Sequence, residues 1–304
     1  MVNTALKRVG VIAHARRPET YPVAEAVMRS LEAGGVATWL QDGLGDSQAL
    51  QDTADLLIAI GGDGAMLRAA RAAAPHQLPV LGINMGYLGF LPEINPPEAW
   101  GQYLAPLLQG DYWVEQRMML HATVMRGETV LGEGHALNDV VINRNRAIGT
   151  VLLQVYIDRH WATTYHADAL IVATATGSTA YALAAGGPIL PPELRNILIV
   201  PVAPHLSMDR PIVLSEGATV QVVVSAERES HATVILDGVE LCAIEAHDCV
   251  LIRVSEHMGR FVRMRDQNYF YRSLLDRLEP RVPLRATPDE LVFSLNHKDA
   301  KDTP

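Results

Sequence analysis

The sequence predicts an α/β fold: a doubly wound N-terminal α/β domain, a mostly β C-terminal domain, and a C-terminal helix returning to the first domain. Three observations carry this. Strand-like and helix-like segments alternate over roughly the first hundred residues. From about Asp111 the apolar period changes from the helical to the strand value. Helical spacing returns at Phe270, Leu274, Leu275 and Leu278. The expected domains are 1–105, completed by 268–285, and 106–267, followed by a loose polar tail over 287–304.

Arg8 to Ala13 reads as a buried strand. Pro22 to Glu32 carries Val23, Val27, Met28 and Leu31 at helical spacing, and Gly34-Gly35 ends it. Val36 to Leu40 and Asp55 to Ile60 are the next strands, the latter apolar on both faces as in a helix-covered parallel sheet. Gly61-Gly62-Asp63-Gly64 leads into a helix over Ala65 to Ala74, stopped by Pro75. Leu78 to Ile83 is the fourth strand. Beyond it, Leu120, Ala122 and Val124 alternate with polar or larger neighbours, as do Val151, Leu153, Val155 and Ile157. Thr219 to Ser225, Ala232 to Leu236 and Val250 to Val254 are further strands.

A chain of 304 residues, 49% hydrophobic and 19% charged, can bury a large core. Its net charge of −9 argues against nucleic acid as a partner. The lysines are Lys7, Lys298 and Lys301, so phosphate-loop NTPases and protein kinases, which need a lysine inside the fold, are excluded. No apolar run reaches membrane-spanning length, and no secretory signal opens the chain. Cys242 and Cys249 form no zinc motif and read as reduced core residues of a cytoplasmic protein. His121, His135 and His160 show no ligand spacing, and Arg144 and Arg146 read as solvated loop residues.

Gly61, Gly62 and Gly64 sit at the carboxyl end of a strand, where open α/β sheets bind ligands. Without Cβ atoms, their amides can approach phosphate oxygens, and the helix N-terminus favours negative charge. Asp63 would repel a phosphate, so it is expected to hold a metal ion or accept a proton from an attacking hydroxyl. A structural account stays open, in which Asp63 caps the helix and the glycines only turn the chain. The motif by itself also fits lipid kinases and phosphofructokinases.

Further segments narrow the choice. They are Gly82 to Leu91 (Gly-Ile-Asn-Met-Gly-Tyr-Leu-Gly-Phe-Leu), Ala136 to Val141, Asp168 to Pro188 with its Thr-Gly-Ser-Thr-Ala-Tyr stretch, Pro204 to Pro211, and Asp237-Gly238. Together with Gly61 to Gly64, these resemble the bacterial NAD kinase family over roughly residues 8–270. The resemblance implies phosphoryl transfer from ATP or polyphosphate to the 2′-hydroxyl of the adenosine ribose of NAD. It implies Mg²⁺ or another divalent metal held mostly by phosphates and water, and a homodimer or homotetramer.

The resemblance also implies residue roles. Asp63 is the catalytic carboxylate, with Gly64 a backbone contact beside it and Arg68 within reach of a phosphate. Asn138 and Asp139 contact the adenosine part of NAD. Asp168 hydrogen-bonds the nicotinamide side. Thr179, Ala180, Tyr181 and Ala184 line the dinucleotide pocket. Three positions depart from the family pattern: Asp139 replaces a common glutamate, Val239 stands where glutamine is usual, and His166 occupies a position linked to NAD-versus-NADH discrimination. His166 and Asp168 lie two apart and are expected to share a face and interact if the segment is extended. A diacylglycerol- or sphingosine-type lipid kinase is the alternative, although no basic cluster suits an anionic lipid surface. A non-catalytic dinucleotide sensor would lack Asp63.

Overall fold

The computed structural model describes residues 6–14, 17–42, 54–86, 89–145, 149–205, 207–227 and 231–266, with Phe270 and Leu274. Met1–Arg265 is one compact unit and Asp266–Pro304 a second. Phe270 and Leu274 are helical. The rest of the helix expected over 268–285, and the tail over 287–304, fall outside the described residues.

Strands β1 (Arg8–Ala13), β2 (Ala37–Asp42), β3 (Leu56–Ile60) and β4 (Val80–Ile83) are parallel, in the order β2-β1-β3-β4. Helices cover both faces, which is why every β3 residue is buried. Val9, Val11, Ile58 and Ile60 pack against α1 (Thr20–Ala33) and α3 (Trp100–Gln109). Leu57 and Ala59 pack against α2 (Asp63–Ala73) on the other side. α1 stops at Gly34-Gly35, with Gly35 at φ +83°, as the sequence suggests. α2 begins at Asp63 rather than Ala65, since an acidic side chain is favoured in a helix's first turn.

The second half is antiparallel. It comprises β5 (Trp113–Arg126), β6 (Thr129–Ala136), β7 (Asp139–Arg144), β8 (Val151–Ile157), β9 (His160–Ala167) and β10 (Ala169–Ala173). The short α4 (Tyr181–Ala184) follows, then β11 (Asn196–Val202), β12 (Ile212–Ser215), β13 (Val220–Val224), β14 (Ala232–Leu236), β15 (Val239–Ile244) and β16 (Cys249–Arg263). A six-stranded sheet runs β12-β11-β10-β7-β14-β15. Its inner face, including Ile142 and Leu170, packs on Leu120, Val124, Leu153 and Val155 of the other sheet.

β16 joins the two halves. It pairs with β5 along both of its parts, with β13 over Cys249–Ile252, and with β4 at Phe261. One sheet therefore runs from β2 to β9 across the change of period near residue 111. β16 is also far longer than the expected Val250–Val254. Its register shifts between Val254 and Met258, so the alternation that marks a strand in sequence breaks there.

Candidate functional site

The phosphate-type turn is built from β3, α2 and the chain after β4. Gly61 leaves β3 at φ +151°, and a Cβ there would lie 2.7 Å from that of Ala65. Gly62 is extended and precedes α2, its carbonyl accepting the amides of Ala65 and Met66. The Asp63 side chain reaches across to the next loop: Oδ2 accepts the Phe90 amide at 2.9 Å and Oδ1 the Leu91 amide at 2.8 Å. A Cβ on Gly89 would collide with Asp63 Oδ1, which accounts for glycine there. An ionised carboxylate has about four acceptor positions, so each oxygen of Asp63 keeps capacity for a hydroxyl or a cation. Gly64 and Arg68 are exposed one turn apart, with Arg68 Nη1 3.6 Å from where a Gly64 Cβ would stand.

A buried ion network backs that loop. Arg263, fully buried, donates from Nη1 to the Leu91 carbonyl at 2.7 Å and from Nε to Glu115 Oε2 at 2.8 Å. Glu93 lies 3.4 Å from Arg263 Nη1 and accepts the Met264 and Arg265 amides. Burial works to raise the Glu115 carboxyl, but the Arg117 and Arg263 cations outweigh it and hold it below the usual range.

The second group gathers at the β6–β7 turn. Asp237 and Gly238, both at positive φ, form the two-residue hairpin between β14 and β15. The Asp237 carboxylate is buried and accepts the amides of Leu137, Asn138 and Asp139. Arg71 of α2 stands 4.0 Å from it and donates to the Leu236 carbonyl. This ties the Asn138–Asp139 turn to the helix that begins at Asp63. Asp139 is itself buried, and burial, then the nearby Asp237 charge, pushes its carboxyl up to about 7.

Thr174 donates from its amide to the Asn138 carbonyl and from Oγ1 to that of Leu137. A Cβ on Gly177 would collide with the Asn138 carbonyl, so the Thr-Gly-Ser stretch lies against this turn. Ser178 and Thr179 cap no helix. Ser178 Oγ bridges the Ala175 carbonyl and the Leu190 amide, and Thr179 Oγ1 donates to Thr176. Ala182 anchors α4 on the sheet, whereas Tyr181 is 44% exposed and Ala184 is exposed on that helix; Ala180 is half-buried.

The third group overturns two expectations. β9 ends at Ala167, and the chain changes sheets at Asp168, so the same-face argument for His166 and Asp168 fails. Asp168 instead pairs with Arg144, 2.9 Å from Nε to Oδ1, and Arg144 is therefore no solvated loop residue. Arg146 lies outside the described residues. His166, half-buried on β9, is tied through its backbone to His205 and Ser207. Asp168 immediately precedes β10 and Thr174 follows its end, about 20 Å apart at the extended rise.

Sequence reasoning quoted Gly89 and Asp237 without assigning either a role, and it missed Arg71 and the Arg263 network altogether. The Asp237-Gly238 pair carried a signal, since Asp-Gly marks a tight hairpin, but its long-range clamp on residues 137–139 did not.

Models of the ATP-NAD kinase N-terminal and C-terminal domains match residues 47–112 and 137–264. An NAD kinase of Pseudomonas putida is 43% identical over 221 residues, 73% of this chain and 74% of that protein. One from Chloroflexus aggregans is 39% identical over 275 residues, 90% and 99% of the two chains. Among solved structures, yeast NADH kinase complexed with NADH superposes with a TM-score of 0.81 at 22% identity, covering 93% of this chain and 91% of that one. An NAD kinase from Archaeoglobus fulgidus in complex with ATP gives 0.69 at 23%, covering 87% and 96%. At those identities the two structures speak to the fold.

Proposed function

The chain belongs to the ATP-NAD kinase family, and from that premise we propose how its residues carry the reaction. It transfers the terminal phosphoryl group of ATP to the 2′-hydroxyl of the adenosine ribose of NAD. A lipid acceptor is set aside by the same relatives. The hydroxyl oxygen bonds to the terminal phosphorus, the bond from that phosphorus to the bridging oxygen breaks, and the hydroxyl proton passes to Asp63. Such chemistry rests on positioning and charge stabilisation. The amides of Gly61, Gly62 and Gly64 and the α2 N-terminus receive phosphate, and Arg68 adds a cation.

The donor set fits a hard divalent ion, because Asp63 keeps free lone pairs while phosphates and water supply the remaining oxygens. Mg²⁺ there would neutralise charge developing on the phosphates. Asn138 and Asp139 read the adenosine ribose; with its raised pKa, Asp139 can donate as well as accept. Tyr181 stacks on the base, and Thr179, Ala180 and Ala184 shape its pocket. Asp168, oriented by Arg144, and His166 serve the nicotinamide side. Polyphosphate is the alternative donor. The enzyme works in the cytoplasm, where the half-buried free thiols Cys242 and Cys249 stay reduced.

The observation that carries the mechanism is Asp63 at a helix N-terminus, locked by two amides yet open to a ligand. Coupled measurement of NADP from NAD, ATP and Mg²⁺ tests it. Formation of NADP by the native chain, and its loss in Asp63→Asn with NAD binding retained, is expected. Equal rates in both proteins would sink the role of Asp63.

A further inference from the structure

The structure brings together three histidines whose sequence positions show no ligand spacing. His121 of β5 and His135 of β6 are direct cross-strand partners, with ring centroids 4.7 Å apart. On the other side of β5, β16 loses register between Val254 and Met258. The unpaired residues Ser255, Glu256 and His257 bulge there, and the His257 ring comes to 4.8 Å from that of His135. Ligand atoms of His135, Glu256 and His257 all lie within 4.8 Å of one another.

We propose that His135, His257 and Glu256 form a binding site for a divalent transition-metal ion of the zinc class, separate from the Mg²⁺-dependent centre. Imidazole with carboxylate suits Zn²⁺, Ni²⁺ or Cu²⁺, whereas Mg²⁺ takes oxygen ligands. Ser255 Oγ sits 2.9 Å from His135 Nδ1 and 2.9 Å from the His257 amide. A hydroxyl has two lone pairs, so it can accept both N–H groups and leave the His135 Nε2 lone pair for the metal. That is the outer-shell orientation metal-bound histidines need. His121, 9% exposed, stacks beside His135, and its Nδ1 is a buried polar atom with no hydrogen-bond partner. Glu133 lies 3.9 Å from His121, so two carboxylates, Glu133 and Glu256, balance a dication. Tetrahedral zinc holds its ligands about 3.3 Å apart, given bonds of about 2.0–2.1 Å. Glu256 and His257, with side chains 68% and 27% exposed, have room to close that difference. Among the described residues β6 pairs with β5 alone, so the ion would pin an edge strand to the β16 bulge.

The test uses the full chain after chelator treatment. Zn²⁺ is titrated by calorimetry, and Co²⁺ by visible absorption, without nucleotide. One ion per chain, tetrahedral-type Co²⁺ bands and a higher melting temperature with Zn²⁺ are expected. His257→Ala and Glu256→Gln should abolish the bands, and Ser255→Ala should weaken binding by roughly 10–100-fold. Asp63→Asn should bind as the native chain does, and excess Mg²⁺ should not displace the ion. Glu256 is exposed, so its variant keeps the test valid if a histidine variant misfolds. Zn²⁺ affinity unchanged in Glu256→Gln and His257→Ala, or loss of the ion to Mg²⁺, overturns the site. Neither result bears on NADP formation, which is measured separately.

Discussion

Leu91 binds Asp63 through its amide and Arg263 through its carbonyl, at 2.8 and 2.7 Å. One peptide segment thus connects the reacting carboxylate to a fully buried guanidinium on β16. The position of Asp63 is set from outside its own helix.

Asp63→Asn follows from this directly. The amide replaces one carboxylate oxygen with an NH2 donor, which would face one of the two backbone N–H groups that Oδ1 and Oδ2 now accept from Phe90 and Leu91. NADP formation should fall by about 10²-fold or more, the scale of general-base assistance. Unlike a purely catalytic substitution, it should also lower stability by roughly 1 kcal/mol, the scale of one lost hydrogen bond in this part-buried loop. Turnover assays and urea denaturation check both. A variant with more than about a tenth of native turnover would refute proton acceptance by Asp63.

Arg263→Met removes the buried cation shared by Glu93 and Glu115, leaving Glu93 to Arg265 and Glu115 to Arg117. Loss of one partner from a buried ion network costs about 3–5 kcal/mol. Denaturation should show that loss. In Arg263→Lys, which keeps the charge but not the fork, the fold should survive while turnover falls more than NAD affinity. A change in affinity alone would show that the network does not act through Leu91 and Asp63.

Asp139 makes stability depend on pH. Its carboxyl is pushed up to about 7 in the fold by burial and by Asp237, against about 3.9 in an unfolded chain. Between these values the unfolded chain has lost a proton that the folded chain retains. Stability therefore falls as pH rises through that window, by on the order of a few kcal/mol, and levels off above it. Asp139→Asn should flatten the profile and be the more stable protein above about pH 7. Parallel profiles for the two proteins would place the titration elsewhere.

Tyr181→Ala should raise the Michaelis constant for NAD while leaving that for ATP nearly unchanged. The ring is 44% exposed and anchors no core, so the fold should be indifferent to its loss. A stacked aromatic contributes about 1–3 kcal/mol, or roughly five- to more than 100-fold in that constant. Unchanged kinetics would remove Tyr181 from the pocket.

Strands β1, β3, β8 and β14 were legible because burial on one or both faces leaves an apolar run or alternation in the sequence. The turn at Gly61–Gly64 was legible from its run of glycines, of which Gly61, at φ +151° with the Ala65 Cβ close by, is the one whose backbone demands glycine. What sequence could not show were relationships closed over long separations. Asp237 clamps residues 137–139, Arg144 meets Asp168, and Arg263 reaches Leu91. None follows from spacing, because each depends on which strands become neighbours. The His166 expectation failed for a local reason: a chain leaving one sheet for another at Asp168 has no strand period to extrapolate.

β16 shares its hydrogen bonds among β4, β5 and β13. Among the described residues, the parallel and antiparallel halves are thus joined in one continuous sheet rather than by a linker. The halves should also melt as one body, with the amides of β16 among the last to exchange with solvent.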